Sequence, residues 1–218
     1  MPPSPPAPAG RYGGLWSPPD VAEARQLILT RTDPGFFERT ARDDDETLAP
    51  WIKPDDTVLD LGCGIGRVAL YVAPRCRLLW AVDASQTMLD MAAERLAGRP
   101  NVRFARCLDT TIPDVPTASV DVAYSILVLQ HLEREDAFLL MRELRRVVKP
   151  GGLAYLTFPN LLSDGYLESF VTYAETGEVA NPARARMYTS EEVQRILPAA
   201  GFQLVETTAG ADIVAFCR

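Results

Sequence analysis

A glycine-rich turn between two apolar segments constrains the fold of this chain most strongly. The run Thr57–Leu61 is typical of a buried strand, and a helix is predicted directly after the turn, over Gly66–Ala73. A second predicted strand, Arg77–Asp83, ends in a carboxylate. The turn itself contains three alternate glycines: Gly62, Gly64 and Gly66. A strand, a glycine turn, a helix and a strand that ends in an acidic residue are typical of a nucleoside-binding unit.

The spacing of the glycines indicates which kind of nucleoside is bound. Glycine has no Cβ, so the backbone can approach a ligand closely, and Asp83 could accept both hydrogen bonds of a ribose diol. A dinucleotide fingerprint also requires a glycine at its sixth position. Counted from Gly62, that position is Arg67, whose bulk does not suit the contact. The pattern therefore disfavours a nucleotide-dependent oxidoreductase, which remains an alternative.

Three motifs in the expected order resemble one enzyme family. Asp60, an apolar residue and Gly-x-Gly-x-Gly resemble the first motif of the class I S-adenosylmethionine-dependent methyltransferases. The segment Val120–Leu132 resembles the family's fourth strand and its exit loop, and Leu144–Leu153 resembles the segment before the fifth strand. The resemblance extends from about Asp55 to the C-terminus.

The alternation of strand and helix patterns predicts a parallel sheet covered on both faces. Together with the resemblance, it implies an α/β, Rossmann-like fold with a seven-stranded, mostly parallel sheet, an antiparallel last strand and an N-terminal helical lid. Phe202–Thr208 and Ile213–Cys217 are predicted as the last two strands. The other predicted strands are Val102–Cys107, Val120–Leu127 and Leu153–Phe158, and the other predicted helices are Ser85–Ala97, Arg134–Val148, Gly165–Glu175 and one from near Thr189.

The chain is predicted to form one domain, residues 16–218, preceded by a disordered tail, residues 1–15, that is rich in proline. Residues 20–52 are predicted as N-terminal helices, and residues 160–187 as an insertion that binds substrate or forms a lid. Tyr12 and Trp16 are candidate closing aromatics, and Arg11 and Arg31 could reach a carboxylate. The acidic run Asp43–Glu46 is predicted to be a solvated face.

Composition argues against several classes of partner. The formal net charge of −7 disfavours nucleic acid and anionic membranes, and no apolar run is long enough to span a bilayer. The four cysteines form no C-x-x-C pair and His131 is the single histidine, so we expect a cytoplasmic protein without a metal site. Methyltransferases that act on nucleic-acid bases carry a Pro-Pro motif where this chain has Tyr124–Leu127. A small-molecule acceptor is therefore predicted, and the oligomeric state is left open.

The resemblance implies S-adenosylmethionine as the cofactor and S-adenosylhomocysteine as the product. Asp60 would organise the ammonium, Asp83 the ribose, and Ala84 and Met88 the adenine, although Met88 fits equally well in a helix core. The family's adenine acceptor aligns with Leu108, so either Asp109 reaches the amine or Leu108 offers backbone contacts only. The full set of expected binding residues is Asp60, Gly62, Cys63, Gly64, Gly66, Asp83, Ala84, Met88, Leu108, Asp109 and Ser125.

Methyl transfer is an in-line displacement that depends on the alignment of nucleophile, methyl and sulfur. A hydroxyl nucleophile must also lose its proton, and His131 follows the fourth predicted strand on the ligand side of the sheet. We therefore expect O-methylation of a small molecule, with His131 as a candidate general base or, alternatively, a structural cap. A non-catalytic module that binds S-adenosylmethionine for regulation is the other alternative.

Overall fold

The computed structural model describes residues 11–29, 35–178 and 184–218. Within these ranges the strands are β1 (Thr57–Leu61), β2 (Leu78–Asp83), β3 (Val102–Arg106), β4 (Val120–Ser125), β5 (Val148–Pro159), β6 (Leu204–Ala209) and β7 (Asp212–Cys217). The helices are α1 (Val21–Ile28), α2 (Phe36–Leu48), α3 (Ala69–Val72), α4 (Gln86–Arg95), α5 (Arg134–Val147), α6 (Asp164–Thr176) and α7 (Ser190–Ala199).

The strands form one sheet in the order β3-β2-β1-β4-β5-β7-β6. The first five strands in the chain pair in parallel, and β7 runs antiparallel to both of its neighbours. The predicted Rossmann-like fold is therefore confirmed. Neighbouring strands lie about 4.8 Å apart, so the carboxyl ends of β3, β2, β1 and β4 follow one another along one edge of the sheet.

Helices cover both faces of the sheet. Every residue of β1 is buried, as expected for a central strand that is covered on both sides. One core cluster contains residues of α5 and α7, such as Leu144 and Leu197. The other contains residues of α3 and α4, such as Val72 and Leu89. The mainly apolar character of the central strands β1 and β2 follows from this double burial.

Two of the helix starts follow the sequence pattern closely. Ser85 precedes α4, and its side chain accepts a hydrogen bond from the Met88 backbone at 3.2 Å. Thr189 precedes α7 and forms a capping box with Glu192, as the spacing predicts. The helix after the glycine turn is shorter than predicted, since the turn continues to Val68 before α3 begins.

The N-terminal segment is more ordered than the sequence predicts. Residues 1–10 and Arg31 lie outside the described residues. From Arg11 to Trp16 the chain forms turns, and Tyr12 is buried. Residues 11–15 therefore belong to the folded domain rather than to the predicted tail. The predicted N-terminal helices correspond to α1 and α2.

The acidic run in α2 is only partly the solvated face that was predicted, since Asp43 and Glu46 are exposed but Asp44 and Asp45 are not. Asp44 forms an ion pair with the buried Arg67 at 2.7 Å. Asp45 is buried and accepts two hydrogen bonds from Arg75, both at 2.7 Å. Arg67 and Arg75 flank α3, so these pairs join α2 to the segment that follows the glycine turn.

The predicted insertion, residues 160–187, contains α6. Each residue of α6 is exposed or half-buried. Its Tyr166 hydroxyl donates a hydrogen bond to Asp212 at 3.0 Å, which places the start of α6 beside the carboxyl end of β5. None of the helices formed by the described residues is both long enough and apolar enough to cross a membrane.

Candidate active site

A cavity lies at the carboxyl edge of the sheet, where β1 to β4 end. Its empty space, including its open mouth, is about 970 Å³. The floor is formed by residues at the ends of the strands or just after them, among them Asp60, Asp83 and Asp109. Part of the wall comes from the N-terminal segment, including Tyr12 and Trp16. The predicted edge of the sheet therefore carries the cavity.

The glycine turn forms the centre of the floor. Gly62 and Gly64 have φ values of +78° and +53°, a backbone region that favours glycine. A Cβ on Gly62 would lie 2.2 Å from a Val128 methyl group, so the close packing there also requires glycine. Gly66 does not line the cavity, because it packs against Leu96, the residue that follows α4. Its role is to bring the turn close to a helix.

Asp83 joins β2 to the glycine turn. Its Oδ2 accepts a hydrogen bond from the Gly64 backbone at 2.9 Å, and its Oδ1 accepts one from the Ser85 backbone at 2.8 Å. Burial raises the pKa of Asp83 above its ordinary value, while hydrogen bonds from Ser85, Gly64 and Ala84 oppose that rise. A carboxylate has about four lone-pair positions, so Asp83 retains capacity to accept from a ligand in the cavity.

Asp60 is the second buried carboxyl group of the floor. Burial raises the pKa of Asp60 to about 7, and the nearby Tyr124 hydroxyl and Arg67 guanidinium limit the rise. The Tyr124 hydroxyl is close enough to act on this pKa but lies outside hydrogen-bond geometry with any described group. Asp60 therefore changes charge near neutral pH, and a cation in the cavity would favour its ionised form.

The floor beyond Asp83 is formed after β2 and β3. Ala84, Met88, Cys107 and Asp109 line the cavity there. Leu108 is 40% exposed and points out of it, with its backbone bridged to Thr111. Leu108 and Asp109 were the two candidates for contact with the adenine, and of these it is Asp109 that lines the cavity. Its φ is +54°, and its Oδ1 accepts a hydrogen bond from the Arg11 backbone at 2.7 Å.

The remaining predicted binding residues are Cys63, Met88 and Ser125, of which the first two line the cavity. Cys63 lines the cavity, and burial raises the pKa of its thiol well above the ordinary value. Met88 lines the cavity and also packs in a cluster with Ala24 and Phe37, so both interpretations of it apply. Ser125 does not line the cavity, because its buried hydroxyl donates to the Leu61 carbonyl at 3.1 Å.

Residues 11–29, which we call the N-terminal strap, cross the cavity. The Tyr12 hydroxyl donates to Asp136 and accepts from the Glu133 backbone at 3.2 Å, which fixes the strap to the start of α5. At its other end, the Ile28 side chain lies over Gly64. Arg11 forms an ion pair with Asp136, so it reaches a carboxylate of this chain. The sequence pattern identified the aromatic residues of the strap but not these attachment points.

His131 lines the cavity at the end of the loop that follows β4. Its ring contacts the Trp16 ring of the strap, with centroids 4.6 Å apart. Its Nε2 lies 3.1 Å from the Gln130 side-chain nitrogen. An amide nitrogen only donates, so in this contact the Nε2 lone pair of the imidazole is directed at Gln130.

Arg186 holds the His131 loop from the side of the insertion. Its guanidinium donates to the His131 carbonyl at 3.3 Å and to Glu133 at 2.6 Å. Its backbone N–H donates to the Gln130 carbonyl at 2.8 Å. The sequence analysis missed Arg186, and no local pattern marks it, since the contact joins residues that are far apart in the chain.

Comparisons with known proteins agree with this geometry. A family model described as a methyltransferase domain matches residues 58–152. A curated "probable S-adenosylmethionine-dependent methyltransferase" of Mycobacterium tuberculosis is 30% identical over 200 residues, which cover 85% of this chain and 66% of that protein. The chain belongs to the S-adenosylmethionine-dependent methyltransferase family. The resemblance inferred from the glycine turn is thereby confirmed.

Other members of the methyltransferase family match over most of the chain. The O-methyltransferase resE of Aspergillus sclerotiorum is 26% identical over 210 residues, covering 92% of this chain and 71% of that protein. A solved S-adenosylmethionine-dependent methyltransferase of Aquifex aeolicus superposes with a TM-score of 0.65 at 21% identity, over 91% of this chain and 97% of the other. That likeness shows a shared fold. The chain spans 44% to 66% of the length of several curated relatives that it matches.

Proposed function

We propose that this chain is an enzyme that transfers a methyl group from S-adenosylmethionine to a hydroxyl group of a small molecule. The observation that carries the proposal is the buried Asp83 carboxylate, which is held by the glycine turn and faces the cavity. A carboxylate in this position can accept both hydroxyls of a ribose. Family membership, reported above, supports the same donor.

The residues present fit such a donor. Asp83 would bind the ribose, and Asp60 would face the ammonium, whose positive charge favours the ionised carboxylate. Ala84 and Met88 would contact the adenine ring, and Asp109 would accept from its amino group. These groups line the cavity in the order of the strands that carry them, β3, β2 and β1. The next strand in that order, β4, would then present the acceptor.

S-adenosylmethionine supplies a methyl group on a sulfonium whose leaving group is a neutral thioether. The protein therefore need not stabilise a leaving anion, and its work is to align the acceptor and to remove the acceptor's proton. His131 lies in the cavity after β4, and its Nε2 would take the proton once it is released from the Gln130 amide. Trp16 and Gln130 hold the ring, and the strap would exclude water from the site.

A small molecule is the acceptor class that these observations favour. The net charge of −7 does not suit a polyanion such as DNA or RNA. The O-methyltransferase resE, with which this chain aligns over 92% of its length, supports oxygen as the nucleophile. The buried ion pair of Arg67 with Asp44, at the position where a dinucleotide site needs glycine, weighs against an oxidoreductase.

Calorimetry with S-adenosylhomocysteine tests the proposal. We expect the wild-type chain to bind it and Asp83→Ala to bind at least about 100-fold more weakly, because charge-assisted hydrogen bonds to two hydroxyls are lost. Asp90→Asn, an exposed change on α4, is the matched control and should bind as the wild type does. Binding without transfer of labelled methyl to any hydroxyl acceptor would favour the regulatory module instead. Absence of binding would refute the proposal.

A further inference from the structure

We infer that Leu127 sets the size of the acceptor, and that the acceptor presents an uncharged, apolar ring beside its hydroxyl group. The inference rests on the proposed function and concerns the β4 end of the same cavity. Leu127 follows β4 directly and lines the cavity together with Ile126 and Val128. Because β4 comes after β1 in the sheet order, these side chains lie beyond the glycine turn, on the side away from Asp83.

The backbone of Leu127 is strained. Its φ is +62°, in the left-handed region that side chains with a Cβ avoid. Among the described residues, the other non-glycine positions with positive φ are Asp109 and Ala118. Leu127 and Asp109 line the cavity, whereas Ala118 is exposed and does not. A leucine kept in this conformation where glycine would be relaxed indicates that its side chain has a purpose in the cavity.

Thr157 holds Leu127 in this conformation. The Leu127 backbone N–H donates to Oγ1 of Thr157 at 3.1 Å. Thr157 is buried on β5, paired with Val214 of β7, so its hydroxyl is carried by a rigid part of the sheet. The hydrogen bond therefore fixes the Leu127 backbone, and with it the point from which the side chain enters the cavity. We assign Thr157 as the residue that positions it.

The surroundings of Leu127 define the chemistry of the acceptor. Among the described residues that line the cavity, and apart from His131, the charged side chains are Asp60, Arg67, Asp83 and Asp109. All of these follow β1, β2 or β3. The wall near β4 and the strap is apolar and includes Trp16, Leu27, Ile28, Ile126 and Val128. A charged group placed there would lose its hydration without gaining a partner, whereas an aromatic ring would be well accommodated.

Calorimetry on the protein saturated with S-adenosylhomocysteine tests both parts of the inference. The probes are phenol and 1-naphthol for size, and 4-methylphenol, 4-hydroxybenzoate and tyramine for charge. We expect the wild type to bind 4-methylphenol at least about tenfold more tightly than its two charged counterparts. Leu127→Ala and Leu127→Gly should raise the affinity for 1-naphthol relative to phenol by about tenfold or more.

Matched variants distinguish the effect of the Leu127 side chain from the effect of its strained backbone. Ala118→Gly relaxes the other strained position outside the cavity, and it should leave the naphthol-to-phenol ratio within about twofold of the wild type. Thr157→Val removes the hydroxyl that holds Leu127 and should weaken the size discrimination, and Thr157→Ser should restore it. The affinity for S-adenosylhomocysteine should stay unchanged in all of these variants.

Each result of these experiments either supports the inference or overturns it. An unchanged naphthol-to-phenol ratio in Leu127→Ala would overturn it, as would equal binding of charged and uncharged phenols or no binding of any phenol. If the wild type failed to bind S-adenosylhomocysteine itself, the proposed function would fail first. Binding of S-adenosylhomocysteine with a ratio that Leu127 does not control would refute this inference alone.

Discussion

The Trp16 and His131 rings are in contact, with centroids 4.6 Å apart and planes tilted by 58°. Trp16 belongs to the N-terminal strap, whereas His131 lies in the loop after β4. The contact therefore joins the segment that covers the cavity to the candidate base. Any movement of the strap would change the surroundings of the imidazole and would therefore affect the proton removal proposed for His131.

His131→Ala should slow methyl transfer to a hydroxyl acceptor by about 10²- to 10⁴-fold, because the acceptor would lose its base. The affinity for S-adenosylhomocysteine should change little. Single-turnover transfer of labelled methyl, with calorimetry as the control, measures both quantities. His131→Asn serves as the matched variant, since an amide can replace an imidazole as a structural hydrogen-bonding group but not as a base. Full activity of His131→Asn would contradict the proposed role.

Binding of S-adenosylhomocysteine should release a proton near neutral pH. The pKa of Asp60 is about 7 in the unliganded protein, where Tyr124, Arg67, Asp83 and Asp44 act on it. An ammonium placed beside Asp60 favours its ionised form, so its pKa falls on binding and the affinity rises as the pH increases from about 6 to 8. Calorimetry in buffers with different ionisation enthalpies measures the proton.

Asp60→Asn is the control for this proton release. The variant should bind more weakly and should lose the part of the proton release that is centred near pH 7. Because burial also raises the pKa of Asp83, any release that persists in Asp60→Asn would be assigned to Asp83. Undiminished release in the variant would show that Asp60 does not take part.

Asp60→Asn should also stabilise the unliganded fold at high pH. The pKa of Asp60 is raised above its ordinary value, so the stability that the protonated carboxyl contributes is present below about pH 4 and is lost as the pH rises through about 7. Each pKa unit corresponds to about 1.4 kcal/mol, and we expect a gain of a few kcal/mol at pH 8. Thermal unfolding of both proteins at pH 4.5 and pH 8 measures it. An equal gain at both values would contradict the linkage.

Asp45→Ala should destabilise the fold by about 1–3 kcal/mol, because it leaves Arg75 without its two short hydrogen bonds from α2. Asp43→Ala, two positions earlier in the same helix and exposed, should change the free energy of unfolding by less than about 0.5 kcal/mol. Urea unfolding at constant pH compares the two. Equal effects would mean that the acidic run acts through its total charge rather than through this pair.

The parts of the fold that depend on local pattern could be predicted from the sequence. The buried strands, the cap at Ser85 and the capping box at Thr189 each have a signature within a few residues. The course of the chain after the glycine turn was harder to predict. The turn continues to Val68, and β5 begins at Val148 rather than at the predicted Leu153.

Features that depend on distant contacts could not be predicted. Nothing near Asp45 in the sequence indicates that Arg75 approaches it, so an acidic run was interpreted as a solvated face. The roles of Arg186 and Thr157 depend on the same kind of contact. The positive φ of Leu127 could not be predicted, because the residues that usually adopt that conformation are glycine and asparagine. The sequence therefore indicated more of the residues that form the cavity floor than of those that form its walls.

The antiparallel course of β7 has a practical consequence. Cys217 pairs with Ala154 and Arg218 pairs with Gln203, so β7 finishes at the sheet edge opposite the cavity. A biotin or affinity tag attached after Arg218 would anchor the protein by its far side and leave the mouth open in surface-based assays. An attachment just before Arg11 would lie beside the strap, on the side of the molecule that carries the cavity. Immobilisation through the carboxyl terminus is therefore the orientation to choose.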